Sequence, residues 1–257
     1  MSSLVTTSIV FICVFAGSMF GRWLNPRLPE EHRSSETHDV VKLTTGMISV
    51  LAALVLGLLI ASVKKAFDAS DSQIRQFAST LILLNETLKD YGDETAAARD
   101  LLRRYTTRAF EDNWPQETAA AAKMPVRIED VESGKFLDGV RLAVLVLPGG
   151  DARRDGLRAD AASLVETALQ TRWLLIERAG TSIQPLLVEI LIAWITLIFL
   201  SFGYHAPRNL TVTAVFVLGA AALSGCIFLI VEMDSPFEGV ITVSSKPMRD
   251  ALAHMTQ

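Results

Sequence analysis

The fold is decided by one long stretch of sequence, VKLTTGMISVLAALVLGLLIASVKKAFDASDSQIRQFASTLILLNETLKDY, which covers residues 41–91. Its first part, residues 41–63, contains a single charge, Lys42, and is long enough to cross a bilayer as an α-helix, which takes about 17–25 mostly apolar residues. Beyond Lys64, apolar residues recur at heptad-like spacing, and neither Gly nor Pro separates the two parts. The spacing therefore predicts one helix that crosses the membrane and continues into water.

The heptad part of this helix predicts where it ends and what it needs. Apolar residues from Phe67 to Leu88 have gaps of 7, 3, 4, 3 and 4, which is the a/d pattern of a helix that packs along one face. Gly92 follows Tyr91 and suits the residue after a helix end. Such a face needs partners, and the sequence leaves two open: copies of the same helix around a symmetry axis, or other helices of the same chain.

The composition of the whole chain identifies a membrane protein with a polar insert. Half of the 257 residues are apolar and only 20% are charged, and 17 of the 24 Lys and Arg residues lie within residues 64–178. The formal net charge of −4 and the lack of a basic stripe exclude a nucleic-acid binder. Cys13 and Cys226 both lie in apolar runs, which excludes a disulfide-stapled secreted domain.

The predicted fold class is all-α, with four transmembrane helices and a helical soluble insert between the second and the third. The predicted spans are residues 4–20, 41–63, 183–202 and 210–231; the insert is 64–182, and 232–257 form a C-terminal segment. Four spans place both termini and the insert on one side of the bilayer. Near the membrane, the insert side has seven basic residues: Lys64, Lys65, Arg75, Arg172, Arg178, Lys246 and Arg249. The opposite side has five: Arg22, Arg27, Arg33, Lys42 and Arg208. The difference favours a cytoplasmic insert.

The insert itself is predicted to be helical. Apolar spacing predicts helices over about residues 94–113 and 151–178. Residues 141–147 are rich in Val and Leu, but a lone strand would have no ladder partner, so we predict a helix there as well. No phosphate-binding loop, nucleophile elbow or Cys-x-x-Cys pair is present, so the sequence predicts neither an enzyme nor a cofactor.

The second span carries the residues that point most directly to transport. Small and hydroxylated residues recur every four positions and predict either close helix packing or the wall of a narrow pore: Thr45, Ser49, Ala53, Gly57 and Ala61. Four further residues lie elsewhere on the helix and could form apolar constrictions: Leu51, Leu54, Leu58 and Ile60. Lys42 at one end and Lys64 and Lys65 at the other would concentrate small anions, with chloride as the expected ion.

Acidic residues near the membrane have two interpretations each. Glu189 lies within the third span, where an ionisable group is costly, so it is expected either to face a charged vestibule with Lys64 and Lys65 or to pair with a basic residue at the headgroup level. Glu232, Asp234 and Glu238 follow the fourth span. Those three carboxylates are either ligands of a hard cation such as Ca²⁺ or a hydrated helix end.

Several stretches of the sequence resemble the bestrophin-like domain family of mostly bacterial membrane proteins. They are Glu36–Gly46, Ala53–Ala61, Phe67-Asp68, Gln170–Leu175, Ala206–Val212, Asp234–Gly239 and Val243–Ser245. The family resembles the bestrophins more distantly. That resemblance implies a pentameric anion channel with four spans per subunit, a cytosolic helical insert and a pore neck on the second span. Residues 41–63 contain no aromatic side chain, unlike many bestrophin necks, and the acidic calcium clasp is reduced to the three carboxylates above.

Two functions follow from these observations. The first is a homo-oligomeric ion channel whose axial pore is lined by the second span and whose partners are the lipid bilayer, copies of itself and small ions. The alternative is a non-conducting oligomeric scaffold or sensor whose helical insert binds other proteins.

Overall fold

A computed structural model describes residues 3–27, 29, 34–117, 131–178 and 183–256 of the chain. The described residues form eight α-helices joined by turns and short 3-10 segments, with no strand among them. The helices are α1 (Ser3–Leu24), α2 (Ser35–Tyr91), α3 (Ala96–Asn113), α4 (Val131–Val146), α5 (Ala152–Arg178), α6 (Pro185–His205), α7 (Leu210–Asp234) and α8 (Lys246–Met255). Residues 118–130 and 179–182 of the predicted insert lie outside the described residues.

Four of the helices, α1, α2, α6 and α7, are long and apolar enough to cross a membrane. The all-α class is confirmed for the described residues, and these four helices are the candidates for the predicted spans. At their C-terminal ends α1, α6 and α7 extend a few residues past the predicted spans, whereas α2 continues to Tyr91. Local chemistry fixes the boundaries: Pro185 begins α6, and the Asn209 side chain caps α7 by accepting a hydrogen bond from the Val212 N–H at 2.9 Å.

Helix α2 runs without interruption for 57 residues. This confirms the prediction that the helix of the second span continues through the heptad stretch to Tyr91. Gly92 follows with a φ of +129°, a backbone conformation that favours glycine, and a short 3-10 turn leads into α3.

The chain divides into two compact units by its internal contacts. The first unit comprises the described parts of residues 1–66 and 181–241. In it, α1 packs against α6 and α7 around a core of fully or nearly fully buried aliphatic side chains that includes Val10, Val14, Leu191, Ile195 and Ile227. Because small residues line the contact of α1 with α6, the two backbones come very close.

The second unit comprises the described parts of residues 67–180 and 242–257. The heptad face of α2 lies in its core, where Ile74, Phe77, Leu81, Leu84 and Leu88 are buried. The partners of this face are therefore helices of the same chain, which answers one question that the sequence left open. The heptad pattern provides no evidence for contact between copies.

The remaining helices of the second unit pack in chain order, α3 against α4 and α4 against α5, and α8 packs on α3. Helix α4 covers the Val- and Leu-rich stretch, so the prediction of a helix rather than a strand is confirmed. Residues from Thr242 onward belong to this unit, and several polar contacts hold them there, among them an ion pair of Arg249 with Glu117. The Trp114 indole N–H donates to the Val243 carbonyl at 2.9 Å, and the Ser245 hydroxyl donates to Glu117 at 2.7 Å.

Candidate functional site

The membrane-spanning part of α2 has one face that packs inside the first unit. Thr45, Ala52, Leu59 and Val63 are buried there, and the last three belong to the aliphatic core formed with α1, α6 and α7. Their spacing of seven, seven and four residues keeps them on one side of a helix with 3.6 residues per turn. This face anchors α2 to its own chain.

The opposite face of the same segment is uncovered. Leu43, Met47, Val50, Leu54 and Leu58 are each more than half exposed. Only 17% of the most apolar stretch of α2 is buried, whereas 28% is buried in each of the other three spans. Within the described residues, α2 is therefore the span whose apolar surface is least covered by its own chain.

Two glycines show how open this side of the helix is. A Cβ atom added at Gly46 or Gly57 would meet no other atom within 4 Å, apart from neighbouring atoms of the helix itself. Asp39, Lys42 and Gly46 belong to the wall of an open groove along the first turns of α2, together with Met47 and Val50. The groove begins with charged residues and continues with apolar ones.

The predicted stripe of pore residues splits between the two faces. Thr45 is buried, and its hydroxyl lies 2.7 Å from that of Ser201 on α6. Ser49 is half-buried and donates to the Thr45 carbonyl at 2.7 Å, while Ala53, Gly57 and Ala61 are exposed. A four-residue step turns the stripe by about 40° around the helix, so it winds from the buried side to the open side.

The sequence reasoning missed the residues at the centre of the open face. Leu43, Met47 and Val50 were passed over because a stripe of small residues drew attention to the neighbouring side. The signal was present in the spacing: positions 43, 47, 50, 54, 58 and 61 are separated by steps of three or four residues, which keep them on one face of a helix.

Charged residues stand at both ends of the open face. Lys42 is exposed near the beginning of the span, and Lys64 and Lys65 are exposed at its end. Glu189 is exposed in the second turn of α6. The described contacts of the first unit include no ion pair between Glu189 and any of these lysines, so the charged vestibule remains a prediction.

A histidine pair that the sequence analysis did not single out lies where α2 begins. The rings of His38 and His205 are 4.5 Å apart, centroid to centroid, and meet edge to face. Nδ1 of His205 is 2.8 Å from the Ser201 carbonyl oxygen, and Ser201 is also the residue that meets Thr45. The pair helps to hold the first turns of α2 against the end of α6.

The three carboxylates that follow the fourth span are not brought together as metal ligands. Glu232 is buried and accepts hydrogen bonds from the Ser3 hydroxyl and from the Val240 N–H, the latter at 2.6 Å. Asp234 accepts from the Ile183 N–H at 3.2 Å, while Glu238 is exposed. Among the residues that the structure describes, no three His, Cys, Asp or Glu side chains are grouped so that they could hold a metal ion.

Instead, Glu232 holds the turn that follows α7. Gly239 adopts a φ of +97°, and any Cβ there would overlap the Glu232 carboxylate. The same carboxylate accepts from the N–H groups of Val240 and Ile241, so one buried acid satisfies the turn backbone and contacts the start of α1. This role accounts for the acid without a bound cation.

The four apolar helices and the packing of the first unit define a helical membrane protein. Residues 12–248 match the model of the Bestrophin-like domain family, and since that is nearly the whole sequence, the chain belongs to this family. The family resemblance predicted from the sequence is thus confirmed.

Comparison with solved structures agrees with the family assignment. The fold is similar to the crystal structure of a bacterial bestrophin homolog from Klebsiella pneumoniae that carries one mutation, with a TM-score of 0.66, 12% sequence identity and 100% of both chains covered. At this identity the likeness concerns the fold alone. No curated protein matches the sequence.

Proposed function

We propose that the protein is a homo-oligomeric ion channel whose axial pore is walled by the open face of the spanning part of α2, one helix from each copy. The observation that carries this proposal is the unequal burial of the four spans: α2 is buried over 17% of its apolar stretch against 28% for the others. A helix that lines a pore has to keep one face clear of its own chain.

The open face suits passage of a small ion. Ala53, Gly57 and Ala61 present little side-chain bulk, and Gly57 has free space beside it. Met47, Val50 and Leu54 add an apolar stretch of the kind that gates by excluding water. Thr45 does not face the pore in this proposal. Its hydroxyl is hydrogen-bonded to that of Ser201 on α6 and so holds the pore-lining helix in place.

The charges favour anions, and chloride in particular. Lys42 lies before the apolar stretch and Lys64 and Lys65 lie after it, so cations flank the pore and raise the local concentration of anions at both mouths. Glu189 belongs to the same vestibule in this proposal and moderates its positive potential. By analogy with bestrophins, the assembly is a pentamer in the bacterial inner membrane, with the residues between α2 and α6 and both termini in the cytoplasm.

Cross-linking of single cysteines tests the position of α2. In a background with Cys13 and Cys226 replaced by Ala, Gly57→Cys is expected to form disulfide-linked dimers on oxidation, because equivalent residues face one another across or around the axis. Ala52→Cys is the matched control, since it lies on the same helix but is buried inside the protomer. Equal cross-linking at both positions, or none at either, would contradict the axial arrangement.

Electrical recording tests conduction itself. Purified protein in planar bilayers, bathed by unequal KCl concentrations, is expected to show a reversal potential close to that of chloride. A reversal potential close to that of potassium would show that the channel conducts cations rather than anions. Silent bilayers containing intact oligomers would favour the scaffold or sensor function instead.

A further inference from the structure

The second unit contains a polar pocket that the proposed pore does not use. It lies where the last turns of α2, the N-terminal half of α3 and the end of α8 meet, and its cavity volume is about 380 Å³. A water molecule occupies roughly 30 Å³ of liquid, and small-molecule sites begin at about 300 Å³. The pocket is therefore large enough for a small organic ligand.

Basic side chains dominate the wall of this pocket. Lys89 comes from α2, Arg99 and Arg103 come from α3, and His254 comes from α8. The one acid in the wall is Asp100. Three helices thus bring their basic groups to one cavity, which points to an anionic occupant.

Asp100 does not neutralise the pocket as a whole. Its carboxylate is shared between Arg103 at 2.8 Å and Arg104 at 2.7 Å. The hydrogen bond from Arg103 and the charge of Arg104 lower the pKa of Asp100, so this carboxyl stays ionised and remains engaged with those two arginines. Lys89 and Arg99 are left as the positive charges of the pocket wall.

Arg99 is the least exposed of the four basic residues in the pocket wall. Its Nε is one of three buried side-chain nitrogen or oxygen atoms that have no hydrogen-bond partner among the described residues. A guanidinium stays protonated and can only donate, and a buried donor without an acceptor is costly. Because this Nε has almost no accessible surface, a bound anion would be contacted by the terminal nitrogens of the guanidinium instead.

Helix ends explain only part of this arrangement. Lys89 lies in the last turn of α2 and His254 in the last turn of α8, where basic groups stabilise the negative end of a helix. Arg99 lies in the first half of α3, so that effect does not account for it.

We propose that this pocket binds a small dissolved compound that carries one or two phosphate groups. The guanidinium of Arg99 offers a planar set of donors that matches phosphate oxygens, and Lys89 adds a point charge. The buried amide of Asn85 and the imidazole of His254 provide further hydrogen-bonding groups around the same cavity. The volume leaves room for an organic group beside the phosphate.

Inorganic pyrophosphate is the probe for this site, used with the full-length protein in detergent and followed by isothermal titration calorimetry. We expect one saturable site per chain. Arg99→Gln and Lys89→Gln should each weaken binding by about tenfold or more, because each removes a charged donor to the anion. Lys89→Gln keeps the test valid if Arg99→Gln fails to fold.

The matched control is Arg141→Gln, which removes the same charge from an exposed arginine of the second unit that pairs with Glu166 at 2.6 Å. This variant should bind pyrophosphate like the original protein. Absence of saturable binding at millimolar pyrophosphate, or equal weakening by Arg141→Gln, would overturn the proposal. Citrate binding as tight as that of pyrophosphate would overturn the assignment to phosphate. Because no current is measured, the result is independent of conduction.

Discussion

Glycines in two regions of the first unit have opposite surroundings. Where α1 crosses α6, a Cβ at Gly203 would overlap the Ser18 backbone, and one at Gly21 would lie 2.8 Å from the Tyr204 nitrogen. On α2, a Cβ at Gly46 or Gly57 would lie in open space. The same residue type therefore serves a tight helix contact in one region and an uncovered surface in the other.

The two groups of glycines show that small residues have different roles in the α1–α6 contact and on the open face of α2. Small residues between α1 and α6 let the backbones approach, which is how helices associate in a bilayer that offers no hydrophobic gain for their contact. Small residues on the open face of α2 make no such contact within the chain. These residues must therefore contact water, lipid or another copy of the protein. In the proposed pore they face water and lie beside the α2 helices of neighbouring copies.

The largest expected effect is on the tight side of this comparison. Gly203→Ala should destabilise the protein by about 3 kcal/mol or prevent folding, since the new methyl group has to displace the Ser18 backbone. Thermal unfolding of the purified protein in detergent measures the loss. Gly57→Ala is the control and should be as stable as the original protein or slightly more so, because Ala favours helix over Gly. Equal losses of stability in the two variants would show that Gly203 is no more tightly packed than Gly57.

A second test concerns the turn that closes the first unit. Glu232→Gln should lower the free energy of unfolding by about 1–3 kcal/mol, because an amide nitrogen would replace one of the carboxylate oxygens that accept hydrogen bonds in this buried site. Glu238→Gln, at an exposed position in the same turn, should have little effect. Chemical unfolding of both variants measures the difference. Similar stabilities would show that the buried carboxylate is dispensable.

The open side of the comparison is tested by adding bulk. Gly57→Leu should reduce single-channel current by about tenfold or more while leaving thermal stability unchanged, because a large apolar side chain would narrow and dry the pore. Planar-bilayer recording and thermal unfolding are done on the same preparation. Unchanged current in Gly57→Leu would place this face outside the ion path.

The smallest expected effect concerns the anchor of α2. Thr45→Val keeps the shape of the side chain and removes its hydrogen bond to Ser201, which should cost about 0.6 kcal/mol, the average for such bonds between membrane helices. Thr44→Val, at an exposed position, is the control. Unfolding in detergent measures both. A larger loss at Thr44 would mean that the faces of α2 are reversed.

Much of the fold could be predicted because it depends on local patterns. Apolar runs of membrane length predicted all four spans, and Gly92 marked the end of α2. The helical nature of α4 followed from the lack of a partner for a lone strand. Each of these features is set by residues that are close together in the sequence.

The candidate site was predicted less completely, because a periodic pattern names a stripe of residues without saying which side the rest of the chain covers. Thr45 belongs to the predicted stripe but is buried against Ser201, a residue 156 positions away. Met47 and Val50, on the open face, were not predicted. The carboxylates after α7 suggested a cation, whereas Glu232 is engaged by backbone N–H groups of the following turn.

By itself, the sequence determined four apolar helices of membrane-spanning length, the second of which continues through the heptad stretch to Tyr91, because length, hydropathy and helix-ending residues act locally. Residues 35–40, which begin this helix in the structure, were not predicted. The tertiary structure alone decided which face of α2 is buried and that the heptad face belongs to the second unit's own core. It also decided that Lys89, Arg99 and His254 meet at one pocket. These outcomes depend on the packing of helices that are distant in the chain, and no local pattern encodes which of several apolar or charged faces will meet.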